Sequence, residues 1–376
     1  MHIDERLSAS LDKRIVEKTF RSLTLKSGLI DFSSNDYLGF ARSPELKERA
    51  KNSEETELHL LNGSTGSRLL TGNSTIAEEL EEYIAGYHNS ASALLFNSGY
   101  NANVGLFSAL GRKGDTIIYD ELIHASVHDG MRLSKAEIKC FAHNNITQFE
   151  QLLKETSGHI FVAVESVYSM DGDFAPLKEI AELCKKYNAS LIVDEAHATG
   201  IFGEDGKGRV SELGLDNEVF ARVVTYGKAM GCYGAAVLCS KLLKKYLVNF
   251  ARSFIYTTAL PLSNLYSIRT AYGILMESEE KISSLKNRIA FFKQKIKFVD
   301  GINLHKSFSP IQSIIIPGNE NVRKVAGQIQ SKGFDVRPLV SPTVSAGQER
   351  IRICLHAFNT EKEVEALISA IQSSLQ

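Results

Sequence analysis

Two short stretches of this chain carry reactive side chains at the ends of strand-like runs. Leu191-Ile192-Val193 leads into Asp194, Glu195, Ala196 and His197, which sets a carboxylate and an imidazole three residues apart. Arg222 to Thr225 leads into Tyr226, Gly227 and Lys228, with Ala229 and Gly231 close behind. In open α/β sheets ligands bind beyond the carboxyl ends of the strands, so both stretches stand where chemistry is expected. A partly desolvated lysine there is partly neutral and can capture an aldehyde as an imine. The small residues Gly227, Ala229 and Gly231 would let the backbone approach a planar ring closely. Asp194 would keep a pyridine nitrogen of that ring protonated, making the ring an electron sink, and His197 would donate to a phenolic oxygen.

Other chemistries fit less well. Gly227-Lys228 lacks the earlier glycine and the following Ser or Thr of a nucleotide phosphate loop. Asp194 and His197 without a third ligand at helical spacing do not make a zinc site, so no metal is expected. The five cysteines, Cys140, Cys184, Cys232, Cys239 and Cys354, form no CxxC pair. They read as free thiols of a reducing compartment. With 43 Lys+Arg against 44 Asp+Glu, no whole-chain field draws the protein to nucleic acid or an anionic membrane. No uncharged apolar run reaches the roughly 18 residues a membrane span needs. The start of the chain, from Met1 to Arg14, mixes charges and lacks the apolar core of a secretory signal. The expectation is a cytoplasmic enzyme.

The elements that must hold these residues alternate between strand and helix. Ile160 to Val164 is apolar on both faces; Leu177, Ile180, Ala181, Cys184 and Tyr187 recur at helical spacing; Leu191 to Val193 is apolar again. That is a βαβ crossover, and it argues for a mostly parallel sheet covered by helices. Further strands are expected at Ala93–Phe96, Thr116–Tyr119, Arg222–Thr225 and Gly234–Cys239. Near residue 262 strands give way to long amphipathic stretches, and shorter signals follow to the end. The expected division is an N-terminal segment 1–45, a large domain 46–261 and a smaller α+β domain 262–376. The last helix opens on a capping box, Thr360 with Glu363, and lines Val364, Leu367, Ile368, Ile371 and Leu375 on one face. In Arg350-Ile351-Arg352-Ile353, alternation puts both arginines on one strand face, and a guanidinium fork suits a carboxylate.

Seven segments, in this order, carry a resemblance: Ser-Ser-Asn-Asp-Tyr-Leu-Gly (33–39), Gly-Ser-Thr-Gly-Ser-Arg (63–68), Ser-Gly-Tyr-Asn-Ala-Asn (98–103), His-Ala-Ser (124–126), Ser-Met-Asp-Gly-Asp (169–173), Asp-Glu-Ala-His-Ala-Thr-Gly (194–200) and Thr-Tyr-Gly-Lys (225–228). Over nearly its whole length the chain resembles the α-oxoamine synthase family of fold type I pyridoxal phosphate (PLP) enzymes. The resemblance implies a mostly parallel seven-stranded sheet in the large domain, PLP as cofactor, and a homodimer with shared active sites.

It also implies roles. Lys228 would carry the cofactor and later move the Cα proton of the amino acid; Asp194 would meet the ring nitrogen and His197 the phenolic oxygen. His124 would stack on the outer ring face. Gly99, Tyr100 and Thr225 would hold the phosphate, with Ser169 near the ring. Thr257 or Thr258, or both, would reach the phosphate of the neighbouring subunit. Arg352 and Asn35 would grip the substrate carboxylate, and Arg21 would lie near the acyl end.

The implied reaction joins an amino acid to an acyl-CoA with loss of CO2. Family members pair alanine with a pimeloyl thioester for biotin, glycine with acetyl-CoA or succinyl-CoA, or serine with palmitoyl-CoA. The wording of 225–240 is closest to the alanine and pimeloyl members, and CoA or a carrier protein would bear the pimeloyl group. Two departures stand out: Met230 with Cys232-Tyr233 after the lysine, and Leu339 where many relatives carry proline. A catalytically dead scaffold subunit is the rival from another class. The presence of Lys228, Asp194, His197 and His124 together speaks against it.

Overall fold

The structure, a computed structural model, describes residues 2–23, 28–54 and 62–376. It divides into two compact units: a larger one of Asn35–Ser169 with Phe174–Ser283, and a smaller one of Met1–Ser34, Met170–Asp173 and Ser284–Gln376. This differs from the expected division at residue 262. The helix Leu262–Met276 does begin there, but Leu265, Ile268, Ala271 and Tyr272 are buried and the helix stays with the larger unit.

Among the described residues the larger unit is built on a seven-stranded sheet, as expected. Its strands are β1 (Ser92–Phe96), β2 (Thr116–Asp120), β3 (Glu137–Phe141), β4 (Ile160–Glu165), β5 (Ser190–Asp194), β6 (Ala221–Thr225) and β7 (Ala235–Cys239). Their spatial order is β1-β7-β6-β5-β4-β2-β3, and only β7 runs against the others. Side chains alternate across the pleat. Ile192, Ala163 and Val223 therefore join one apolar layer with Leu106, Phe107 and Met131, while Leu191, Val193 and Val164 join the opposite layer with Phe149 and Ile180. Both faces are covered, which is why β4 and β5 read as uninterrupted apolar runs. The edge strand β3 had no such signal, because Glu137, Ile138 and Cys140 are exposed.

Behind the ends of β5 and β6 lies a buried polar layer. Glu195 is fully buried and accepts two hydrogen bonds from Arg222, at 3.0 and 2.7 Å, and one from the Val210 N–H at 3.0 Å. Arg222 also donates to Asp216 at 2.9 Å and to the Lys207 carbonyl at 2.7 Å. His88 lies beneath them, its Nδ1 3.1 Å from the same Lys207 carbonyl and its Nε2 2.8 Å from the Tyr272 hydroxyl. Burial, reinforced by the Arg222 charge, holds His88 well below the usual histidine value. The unfolded chain therefore binds a proton near pH 6.5 that the folded chain refuses. His88 contributes full stability above that pH, and the contribution falls by about 1.4 kcal/mol per pH unit below it. Urea unfolding across this range is expected to show a slope smaller by that amount in His88→Gln than in the parent chain.

In the smaller unit, β8 (Ile311–Ile315), β9 (Arg337–Leu339) and β10 (Arg350–Cys354) form an antiparallel sheet in the order β9-β10-β8. Ile30–Asp31 pairs with Phe334–Asp335 in parallel. The final helix, Glu361–Leu375, starts at the expected capping box: Glu363 N–H donates to Thr360 Oγ1 at 3.2 Å, and Thr360 N–H to Glu363 Oε2 at 2.7 Å. No helix among the described residues is long and apolar enough to cross a membrane.

Candidate active site

The carboxyl ends of β4, β5 and β6 and the helix start after β1 open onto one cavity of about 260 Å³ in the larger unit. Asn35, Gly99, Tyr100, His124, Asp194, His197, Thr225 and Lys228 all line it. Eight of the residues singled out in the sequence thus meet, although they span positions 35 to 228.

The helix Gly99–Leu110 presents its N-terminus to this cavity. Ser98 caps it by accepting from the Asn101 N–H at 3.2 Å. The remaining first-turn N–H groups have no partner within the helix, and the helix dipole favours negative charge there, so the position suits an anion such as phosphate. Gly99 is needed for closeness: a Cβ there would lie 2.6 Å from Thr225 Cγ2. The Tyr100 hydroxyl is held by Asp129 Oδ2 at 2.5 Å.

Asp194 is buried, with both oxygens engaged. Oδ1 accepts from the Ala196 N–H at 2.9 Å and Oδ2 from Asn103 Nδ2 at 2.7 Å. Beside it in register stands Glu165, the last residue of β4. Glu165 is buried too; Oε2 accepts from the Ser169 N–H at 3.1 Å, and Oε1 has no hydrogen-bond partner among the described residues. Burial first, and the Asp194 charge second, hold the Glu165 carboxyl well above the usual range. His197 Nδ1 lies 2.8 Å from the hydroxyl of the fully buried Tyr37, which donates to Asn35 Oδ1 at 3.1 Å.

Lys228 sits half-buried on a loop closed by backbone bonds from Tyr226 to Gly234 (3.0 Å), Cys232 to Tyr226 (2.7 Å) and Gly231 to Lys228 (2.9 Å). Of the small residues around it, Gly227 lines the cavity, whereas the other two act differently from the expectation. A Cβ on Gly231 would lie 2.1 Å from the Ala41 nitrogen, and one on Gly200 would lie 2.9 Å from Ala229 Cβ, so Gly231 and Ala229 serve packing against neighbouring chain.

The remaining candidates lie elsewhere. Ser169 is not on the cavity wall and joins it through Glu165. Thr257 and Thr258 also stand away from this cavity; Asn97 Nδ2 donates to Thr257 Oγ1 at 3.3 Å and to the Thr258 carbonyl at 2.8 Å. Arg352 and Arg21 belong to the smaller unit, where Arg352 donates to Cys354 Sγ at 2.9 Å and Arg21 to Thr343 Oγ1 at 3.3 Å. Asn103 and Glu165 were missed by sequence reasoning. Glu165 carried a usable signal, a carboxylate closing an apolar run just as Asp194 does; Asn103 stands in the quoted segment 98–103, but nothing there pointed to its role.

A model of the aminotransferase class I and II family matches residues 27–371. The chain belongs to that family and, within it, to the α-oxoamine synthases. It is 45% identical to the 8-amino-7-oxononanoate synthase of Emericella nidulans, across 99% of this chain and 96% of that one. Among solved structures, it is similar to a serine palmitoyltransferase from S. paucimobilis with a bound PLP–myriocin aldimine, at TM-score 0.89 and 27% identity over 98% and 96% of the two chains. It is also similar to 8-amino-7-oxononanoate synthase from Francisella tularensis, at TM-score 0.80 and 28% identity over 93% and 98%.

Proposed function

We propose that the chain condenses L-alanine with a pimeloyl thioester, releasing CO2 and the thiol, to give 8-amino-7-oxononanoate with PLP as cofactor. The single observation that carries this reading is the meeting of Lys228, Asp194, His197, His124 and a helix N-terminus in one cavity. The donor set fits the cofactor: an anion cradle, an amine, an acceptor-only carboxylate and an imidazole. Bound there, PLP supplies an aldehyde and a protonated ring that takes up the electron pair when a bond at the amino acid Cα breaks.

The chain's own groups do the rest. Lys228 offers the amine that captures the cofactor and afterwards carries the Cα proton. Asp194, fixed by Ala196 and Asn103, presents its charge to the ring nitrogen. Gly99 and Tyr100 N–H groups and the Thr225 hydroxyl would hold the phosphate and His197 would meet the phenolic oxygen, while the Ser169 N–H steadies Glu165. Asn35 takes one end of the substrate carboxylate. Arg352 is assigned to the same carboxylate, and Arg21 to the acyl group, by family resemblance alone.

The working form is a homodimer of the cytoplasm, with Thr257, Thr258 or both of one copy serving the phosphate of the other. Support comes from their partial exposure away from their own cavity. Further support comes from the helix Ile3–Val16, where Ile3, Leu7, Leu11 and Ile15 form a stripe at four-residue spacing, each at least 50% exposed. An apolar stripe of that kind calls for a cover.

The test is a panel of alanine, glycine and serine against pimeloyl-, acetyl- and palmitoyl-CoA, read as thiol release. Alanine with pimeloyl-CoA is expected to exceed every other pair by at least about tenfold. Faster turnover of glycine with acetyl-CoA, or of serine with palmitoyl-CoA, would replace the substrate assignment.

A further inference from the structure

We propose that Asn103 and Ser126 are positioning residues that hold His124 as the tautomer with its proton on Nε2, through a hydrogen-bond chain that begins at the Asp194 carboxylate. The inference rests on the reading of this cavity as the cofactor site; it adds Ser126, which that reading does not use, and a second contact for Asn103, which there only fixes Asp194.

The direction of every bond in the chain follows from what each group can donate. A carboxylate only accepts, so the NH2 end of the Asn103 amide must face Asp194 Oδ2, 2.7 Å away. The second amide proton goes to Ser126 Oγ at 2.9 Å. The Ser126 hydroxyl keeps its own proton free, and it goes to His124 Nδ1, 2.7 Å away, because the backbone N–H of the same residue already makes that nitrogen an acceptor. The Ser126 backbone N–H also points at Nδ1, at 3.2 Å, because the imidazole caps the helix Ala125–Leu133. Imidazole is an unusual cap, and it serves only with a bare Nδ1. Two donors on that nitrogen exclude a proton from it, and a neutral ring then carries its proton on Nε2.

The ring is kept neutral by its surroundings. Burial depresses His124 below the usual value; Asp194 and Asp129 oppose this, while Lys228 adds to it. The neighbouring His128 is depressed in the same way.

Asn103 shows a further sign of function. It is buried, yet its Oδ1 finds no hydrogen-bond partner among the described residues. A buried amide whose carbonyl is unsatisfied carries a cost that its two donated bonds must offset. What an amide offers at this position is two donor protons in a fixed fork, one for Asp194 and one for Ser126.

The test uses the full-length chain with 15N-labelled histidine rings. His124 is assigned by difference from His124→Gln, and its ring nitrogens are read by long-range 1H–15N correlation without cofactor and after PLP loading. The wild type is expected to show a bare Nδ1 and a protonated Nε2. Ser126→Ala and Asn103→Ala are expected to populate the Nδ1–H form and to lower kcat on the order of 10- to 100-fold, with a smaller change in KM. Ser126→Thr, which keeps the hydroxyl, is expected to restore the wild-type ring signature. A wild-type ring protonated on Nδ1 overturns the proposal, even where a variant fails to fold. Variants that keep the wild-type signature overturn it too. Failure of the wild type to take up PLP overturns the cofactor reading instead, and is distinguishable because the ring nitrogens are also read in the cofactor-free chain.

Discussion

Lys228→Ala is expected to lower condensation turnover by on the order of 10³-fold or more, because no other amine among the described residues lines the cavity. Lys228→Arg is expected to fail as completely, since a guanidinium stays protonated and cannot capture an aldehyde. Neither change should unfold the protein. The loop that carries residue 228 is closed by backbone bonds between Tyr226, Gly234, Cys232 and Gly231, none of which needs the side chain. Urea unfolding of Lys228→Ala is therefore expected to differ from the parent by about 1 kcal/mol or less. Residual turnover within tenfold of the parent would show that the amine lies elsewhere.

The largest effect on stability is expected at Glu195, which never touches the cavity. Glu195→Ala leaves Arg222 buried with one of its two carboxylate partners gone. Breaking a buried pair from one side typically costs about 3–5 kcal/mol. Asp216 remains 2.9 Å from Arg222, which places the expectation near the lower end, about 3 kcal/mol. Replacing both members with methionine is expected to cost less than the single change, because no charge is then stranded. A drop in turnover should accompany Glu195→Ala, since Glu195 and Arg222 anchor the chain that presents Asp194 and Thr225. Equilibrium urea unfolding decides the matter: a single variant within 1 kcal/mol of the parent would mean that the pair contributes nothing net.

Much of the frame was legible because burial on both faces leaves a mark in sequence. Strands β4 and β5, apolar through Ile160–Val164 and Leu191–Val193, could be placed almost to the residue, and the helix Leu177–Lys186 between them followed from its spacing. Strand β3 escaped because an exposed edge has no apolar signature. Periodicity also reports the type of an element but not the layer it joins. The helix at Leu262 was visible, while its packing within the larger unit was not.

The site divides along similar lines. Asp194 and Lys228 were conspicuous because polar residues stand abruptly after strand-like runs. His124 needed the pattern of the other segments, since a lone histidine before a helix has no distinguishing neighbour. Asn103 closes one of the seven segments, but its role could not be read there: it comes from touching Asp194, 91 positions away, and Ser126, 23 positions away. Glu165 was overlooked for a different reason. Its importance depends on facing Asp194 in register across two strands, and strand order is a property of the folded sheet.

The most direct measurement is chemical. The full chain is loaded with PLP, reduced with borohydride and digested, and the modified peptide is sequenced by mass spectrometry. The expected result is a single pyridoxyl group on Lys228, within the loop that follows β6. Modification of another lysine, or of none, would contradict the assignment of this cavity as the catalytic site.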